Sequence, residues 1–294
     1  VPVLYSYTAM IPSILPSTGP IGVFDSGYGG LTILDKIRGL MPEYDYIYLG
    51  DSARCPYGPR SFEVVYEFTL QAVSKLFELG CPLVILACNT ASAKALRTIQ
   101  QINLPVIDAT RRVLGVIRPT AECIGEITRS RHVGILATAG TIKSESYLLE
   151  IHKLSPDIVV TGEACPMWVS LVENNEYQSE GADYFVKQHI NRLLDKDPMI
   201  DTIILGCTHY PLLRSTLRQI MGEKVNLVNP AYETARELKA LLERDGLNND
   251  GKQSYEGAMH EFYVSDAANK FKNFANSILP YGVDTTQLIH IEDY

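Results

Sequence analysis

The sequence predicts an α/β protein of two similar lobes, each built on a mainly parallel sheet. The lobes are expected to be related by a pseudo-two-fold axis, with the active site in the cleft between them. Three observations predict this. Apolar, β-branched runs alternate with helix-length segments along the chain, the pattern of βαβ units. Leu83–Ser92 (LVILACNTAS) and Thr202–Pro211 (TIILGCTHYP) repeat one design: a buried strand, a small residue, a cysteine, then short polar residues. Two further pairs recur in the same order, Ile21–Gly30 with Val133–Thr141 and Ile47–Pro56 with Ile158–Pro166. Gly22 aligns with Gly134 and Gly50 with Gly162, both 112 residues on, whereas Cys88 and Cys207 lie 119 apart, so one small insertion reconciles all three. Two unrelated runs of generic βα units would also produce such strings, so the duplication is an expectation for the structure to test.

Residues 1–20 are apolar but broken by Pro2, Pro12, Pro16 and Pro20, and lack a basic start, so they read as an irregular extension rather than a signal peptide. The strand Ile21–Phe24 runs through the loop DSGYGG into a helix over Leu31–Leu40. Ser61–Leu79 follows as an amphipathic helix with Phe62, Val65, Phe68, Ala72 and Leu76 on one face. The second lobe is expected over 113–224, with helices at Ser144–Leu154, Gly181–Leu194 and Pro211–Met221. Residues 225–294 are expected to return to the first lobe, 21–112. That return holds a strand in Val225–Pro230, a helix over Ala231–Asp245 and a polar loop at Asn248–Glu256. A strand at Glu261–Val264 and a helix over Ala267–Leu279 complete it.

The bulk properties narrow the function. A length of 294 residues suits two domains. A formal charge of −8 argues against a nucleic-acid footprint, which needs clustered Lys and Arg, and against a membrane-surface role. No apolar run approaches the length that spans a bilayer. Six cysteines without a CxxC read as reduced thiols of a cytoplasmic protein.

Cys88 and Cys207 carry the argument. A thiol at the carboxyl end of a parallel strand sits where open α/β folds put their chemistry, and a helix N-terminus there can lower its pKa. Two such thiols facing one ligand could move a proton from one face of a carbon to the other. Cys55, Cys81, Cys123 and Cys165 read as small buried hydrophobes. Asp25 and Ser26 follow the first strand and point toward the Cys88 turn, though both are also favoured helix caps. His209, two residues past Cys207, could relay a proton; Cys-Thr-His lacks the spacing of a zinc site. Glu173 reads equally as a cleft acid or a solvated loop acid. GYGG is too short for a dinucleotide fingerprint.

VFDSGYGGLTIL, YLGDSARCPYG, ILACNTASA and ILGCTHYPLL resemble, in order, the four signature segments of the glutamate racemases, a branch of the aspartate/glutamate racemase superfamily. The similarity runs from about Ile21 to the C-terminus. The resemblance implies a two-base racemase that needs no cofactor and no metal, exchanging L-glutamate and D-glutamate and supplying peptidoglycan synthesis, with a homodimer as its expected state. It implies Cys88 and Cys207 as acid and base, assisted by Asp25, His209 and the less securely aligned Glu173. It implies Asp25, Ser26, Tyr57, Gly58, Asn89, Thr90, Thr208 and His209 as substrate ligands. Three other readings compete. An aspartate or hydantoin racemase would use the same thiols on another substrate, a duplicated binding protein would have unreactive cysteines, and a thiol hydrolase would leave one cysteine turn unexplained.

Overall fold

A computed structural model describes residues 19–244 and 258–291. The expected extension over 1–20 lies almost wholly outside them, as does the loop at Asn248–Glu256. Among the described residues ten strands form two sheets: β1 (Ile21–Asp25), β2 (Tyr46–Gly50), β3 (Leu83–Leu86), β4 (Arg112–Gly115), β5 (His132–Ala137), β6 (Val159–Ala164), β7 (Thr202–Gly206), β8 (Asn226–Val228), β9 (His260–Val264) and β10 (Gln287–Leu288). The first sheet has the order β10-β9-β2-β1-β3-β4 and the second β6-β5-β7-β8. Every pairing is parallel. Parallel neighbours need crossover connections, and the helix-length segments between strands supply them.

The duplication is visible in the sheets. The second sheet's β6-β5-β7-β8 repeats the first sheet's β2-β1-β3-β4. Gly22 pairs with Val84 as Gly134 pairs with Ile203, which reproduces the offsets of 112 and 119. The β2/β6 match needs adjustment: Gly22 faces Ile47 while Gly134 faces Thr161, an offset of 114 rather than 112. A slip of two residues keeps every side chain on its own face of the sheet, so sequence similarity alone does not detect it.

The lobe boundaries also move. Residue 113, expected to open the second lobe, lies in β4, which pairs with β3. Residues 226–228, expected in the first lobe, form β8 beside β7. The crossings fall at Val116–Ile117 and at Asn229–Pro230, where neighbouring residues join different cores: Val116 and Ala231 pack in the first lobe, Ile117 and Val228 in the second. Each expected boundary differs from the observed crossing by one short strand, because the repeated unit holds four strands rather than three.

Each sheet is covered on both faces. Along β1 and β3, Ile21, Val23, Leu83 and Ile85 face one core and Phe24, Val84 and Leu86 the other. In the second sheet Leu136, Ile203 and Leu205 face one core and Ile135, Ala137 and Ile204 the other. Burial on both faces is why these strands read as unbroken apolar runs. Helices expected from the sequence form with small shifts: Phe62–Glu78 begins after Ser61, whose Oγ accepts from the Val64 N–H at 3.3 Å, and Glu180–Lys196 after Ser179, which does the same for Ala182 at 3.2 Å. The expected helix over Pro211–Met221 divides into a 3-10 turn, Tyr210–Leu213, and an α-helix, Arg214–Met221. Among the described residues no helix is long and apolar enough to cross a membrane.

Candidate active site

The carboxyl ends of β1, β3, β5 and β7 converge between the lobes, and the chain segment after each strand contributes polar side chains. After β3, Cys88 is the N-cap of the short helix Asn89–Lys94; its sulfur accepts from the Ala91 N–H at 3.5 Å and donates to Ser26 Oγ at 3.4 Å. After β7, the Cys207 sulfur lies 3.7 Å from His209 Nδ1. Both thiols are nearly buried, and the charge of Cys207 is among the influences felt by Cys88. The two cysteine turns therefore lie near enough for their charges to interact.

His209 is held at both ends. Its Nε2 bonds Glu173 Oε1 at 3.0 Å, and Nδ1 faces the Cys207 sulfur. Burial alone would lower its pKa, but the bonds and charges of Cys207 and Glu173 raise it to about 10. At neutral pH the ring is an imidazolium donating to both neighbours. Burial pushes Glu173 up, yet His209, Lys270 and Cys55 together hold it below the usual carboxylate range. Glu173 is thus a partner of His209 rather than a solvated loop acid.

Asp25 is fully buried and pushed up by that burial, against the opposing pull of the His209 charge and the Gly27 and Gly30 N–H groups. Its Oδ2 accepts from Gly27 N–H at 3.0 Å and its Oδ1 from Thr208 Oγ at 3.4 Å. It acts on Cys88 through charge, while Ser26 makes the direct contact. Burial first, and the Asp25 charge second, push Cys88 up to about 12. The expectation that a helix N-terminus would lower this thiol fails, because desolvation outweighs one weak N–H bond.

Gly29 explains the glycine-rich loop. A Cβ there would lie 2.3 Å from Thr208 Oγ and 2.5 Å from His209 Nδ1. Only glycine lets the first lobe's loop lie against the second lobe's Thr208-His209 turn.

Asn89, Thr90, Thr208 and Ser26 all lie at this junction, and Thr90 Oγ meets Thr138 Oγ at 2.9 Å and Thr141 Oγ at 3.3 Å. Gly58 abuts Thr138, and its carbonyl accepts from the Gly140 N–H at 2.9 Å. Tyr57 is different. Its hydroxyl donates to Asp51 Oδ2 at 2.5 Å, alongside Arg54 at 2.6 Å, so its phenol is already committed. Sequence reasoning missed Thr138, Thr141 and Cys55. Thr138 lies 112 residues beyond Ser26, so the internal repeat already pointed to it. Cys55, grouped with the packing cysteines, donates its thiol to Glu173 Oε1 at 3.7 Å. Cys81 and Cys165 are buried among apolar side chains as expected. Among the described residues no group of three or more His, Cys, Asp or Glu side chains could hold a metal ion.

Paired thiols at the carboxyl ends of matching strands in a duplicated α/β fold define a class, and comparison with known proteins agrees. The Asp/Glu/Hydantoin racemase family model matches residues 32–238. The chain belongs to this family of amino-acid racemases. Within the family, the curated relatives it matches at 37–40% identity include many glutamate racemases. The enzyme of Bacillus cereus is 38% identical over 273 residues, covering 92% of this chain and 97% of that protein. That of Enterococcus faecalis is 40% identical over 271 residues, covering 92% and 96%. The crystal structure of glutamate racemase isoform RacE1 from Bacillus anthracis superimposes with a TM-score of 0.85 at 35% identity, covering 93% of this chain and 98% of that one. The Francisella tularensis glutamate racemase in complex with D-glutamate gives 0.84 at 32% identity, covering 95% and 100%.

Proposed function

We propose that the chain interconverts L-glutamate and D-glutamate by a two-base mechanism that uses no cofactor. The observation that carries this reading is the pair of buried cysteines, one per repeat, each with its own polar partner: Ser26 for Cys88 and His209 for Cys207. The Francisella tularensis relative, structurally similar over nearly the whole chain, holds D-glutamate, which supports glutamate as the substrate.

In the L-to-D direction, Cys207 takes the Cα proton and Cys88 returns its own proton to the opposite face; the reverse direction exchanges these roles. The imidazolium of His209, backed by Glu173, stands beside Cys207, and the buried carboxyl of Asp25 stands near Cys88. The Cα proton is far less acidic than a thiol, and each pKa unit of mismatch costs about 1.4 kcal/mol. A turnover near 10 per second leaves a barrier of about 16 kcal/mol, so the site must stabilise the carbanion. The hydroxyls of Thr90, Thr138 and Thr141 and the Asn89 amide are donors for a carboxylate. Asp25, Ser26 and Thr208 suit the substrate ammonium. The turn at Tyr57-Gly58 contributes backbone, since the Tyr57 phenol is occupied. Closure of the cleft excludes water and strengthens each of these contacts.

The same reading makes residues 117–229 one lobe and 21–116 with 230–244 and 258–291 the other. It makes D-glutamate a peptidoglycan precursor produced in the cytoplasm by a homodimer. The test is incubation with L-glutamate in D₂O, with EDTA and no added cofactor, following optical rotation and Cα deuterium. Loss of rotation with one deuterium per turnover is expected. Absence of exchange, or activity that needs added metal or cofactor, would overturn the reading.

A further inference from the structure

Asn89 is buried, and the two ends of its amide are treated differently. Its Oδ1 accepts a hydrogen bond from the Tyr147 hydroxyl at 2.7 Å. Its Nδ2 is buried and has no partner among the described residues. A buried, unpaired amide donor is uncommon and calls for an explanation, and in a cleft a bound ligand supplies one. Asn89 lies between Cys88 and Thr90 in the chain, and both its side chain and that of Thr90 meet the other lobe, so the unpaired N–H₂ stands at the junction of the lobes.

Tyr147 comes from the other lobe. It lies in the helix Ser146–Leu154 behind Thr138 and Thr141, and its ring is 2% exposed. One residue before it, Ser146 Oγ donates to the Ala93 carbonyl at 3.0 Å, anchoring that helix start against the helix that carries Asn89. An asparagine amide can turn over and present either oxygen or nitrogen to a ligand. A ligand carboxylate has only acceptors, so it selects the orientation in which the tyrosine donates to Oδ1 and Nδ2 is left for the ligand.

We propose that Tyr147 is a positioning residue. Its hydroxyl holds the Asn89 amide with the nitrogen toward the substrate carboxylate, and because it comes from the opposite lobe, that donor is set only when the lobes are together. This inference rests on the glutamate-racemase reading for its ligand, but its geometry does not.

Two measurements test it. Tyr147→Phe keeps the ring and removes the hydroxyl, and its unfolding temperature is expected to stay within a few degrees of the parent. In racemisation, KM for both enantiomers should rise about tenfold, the size of one net hydrogen bond, with kcat changed less than about twofold, as for contacts made equally in ground and transition states. In an Asn89→Ala background the same substitution should do nothing further. Independently of any substrate, the Asn89 side-chain ¹⁵N–¹H pair, assigned by its absence in Asn89→Ala, should be two sharp resonances in the parent. In Tyr147→Phe the pair should be shifted or broadened. Unchanged Asn89 resonances, or a KM effect that persists undiminished in Asn89→Ala, would overturn the proposal. If the parent fails to racemise glutamate, the functional reading falls, while the resonance comparison still decides the role of Tyr147.

Discussion

Gly29 has less room than any side chain needs, since a methyl group there would meet both Thr208 and His209. The His209 ring is fixed by Glu173 on its far side and cannot retreat freely. Gly29→Ala should therefore leave folding nearly intact but cut kcat at least about tenfold, as expected when an acid–base group is misplaced; wild-type turnover would show that the turn yields. The two thiols are expected to be individually indispensable. Cys88→Ala and Cys207→Ala should each abolish racemisation while retaining the unfolding midpoint, because each works on one face of Cα. Asp25→Asn and His209→Asn should lose about 10²–10⁴-fold, with unequal kcat losses in the two directions, while the ratio of kcat/KM values stays fixed by an equilibrium constant of one. Identical losses in both directions would refute one helper per thiol. His209 also has a signature in stability. Its pKa, about 10 against an ordinary 6.5, means the folded state holds the proton more tightly than the unfolded chain. That contribution is complete below about pH 6.5 and disappears as pH rises through about 10. The unfolding midpoint should fall between about pH 7 and 9 in the parent and stay flatter in His209→Asn.

At the scale of elements, the scaffold is separable from the chemistry. Asp201, just before β7, accepts from Thr128 Oγ at 2.7 Å and from the Arg129 and Ser130 N–H groups at 2.8 and 2.7 Å. Burial alone would raise its pKa, but these donors hold it at about 2. The carboxylate ties the loop before β5 to the start of β7, at the opposite end of the sheet from Cys207. Asp201→Ala should cost about 2 kcal/mol near neutral pH and leave racemisation within about twofold. Because the native pKa lies below that of the unfolded chain, this stabilisation is present above about pH 4 and is lost as pH falls through about 2, where variant and parent should converge. A large loss of activity at neutral pH would show that the two ends of β7 are coupled.

At the scale of the molecule, the proposed site lies between lobes. Thr208 to Asp25, Thr32 to the Thr208 carbonyl at 2.9 Å, Thr90 to Thr138, Tyr147 to Asn89 and Cys55 to Glu173 all cross the cleft. A ligand bound there would contact both halves and so would bind only the folded chain. D-Glutamate at about one hundred times its Kd should stabilise the protein by about 2.7 kcal/mol, read as a rise in unfolding midpoint that grows with concentration. No rise at any concentration would count against a substrate site in the cleft.

The strand ends and both cysteine turns were legible in the sequence because they depend on local order: an apolar run, then a small residue, then a polar turn. The repeat at 112 residues even pointed to Thr138. The sequence by itself thus determined the duplicated βα pattern, the paired thiols and the family. Only the tertiary structure decided that β4 and β8 close the two sheets, since nothing local in either strand, not even in the legible strand within Val225–Pro230, says which sheet it joins. It alone also decided that Glu173 and Cys55 share a carboxylate oxygen, that the Tyr57 phenol turns to Asp51, that burial raises Cys88, and that Tyr147 reaches Asn89. Each of these is a contact or a desolvation between residues far apart in the chain, and such terms come into being only when packing removes the water between them.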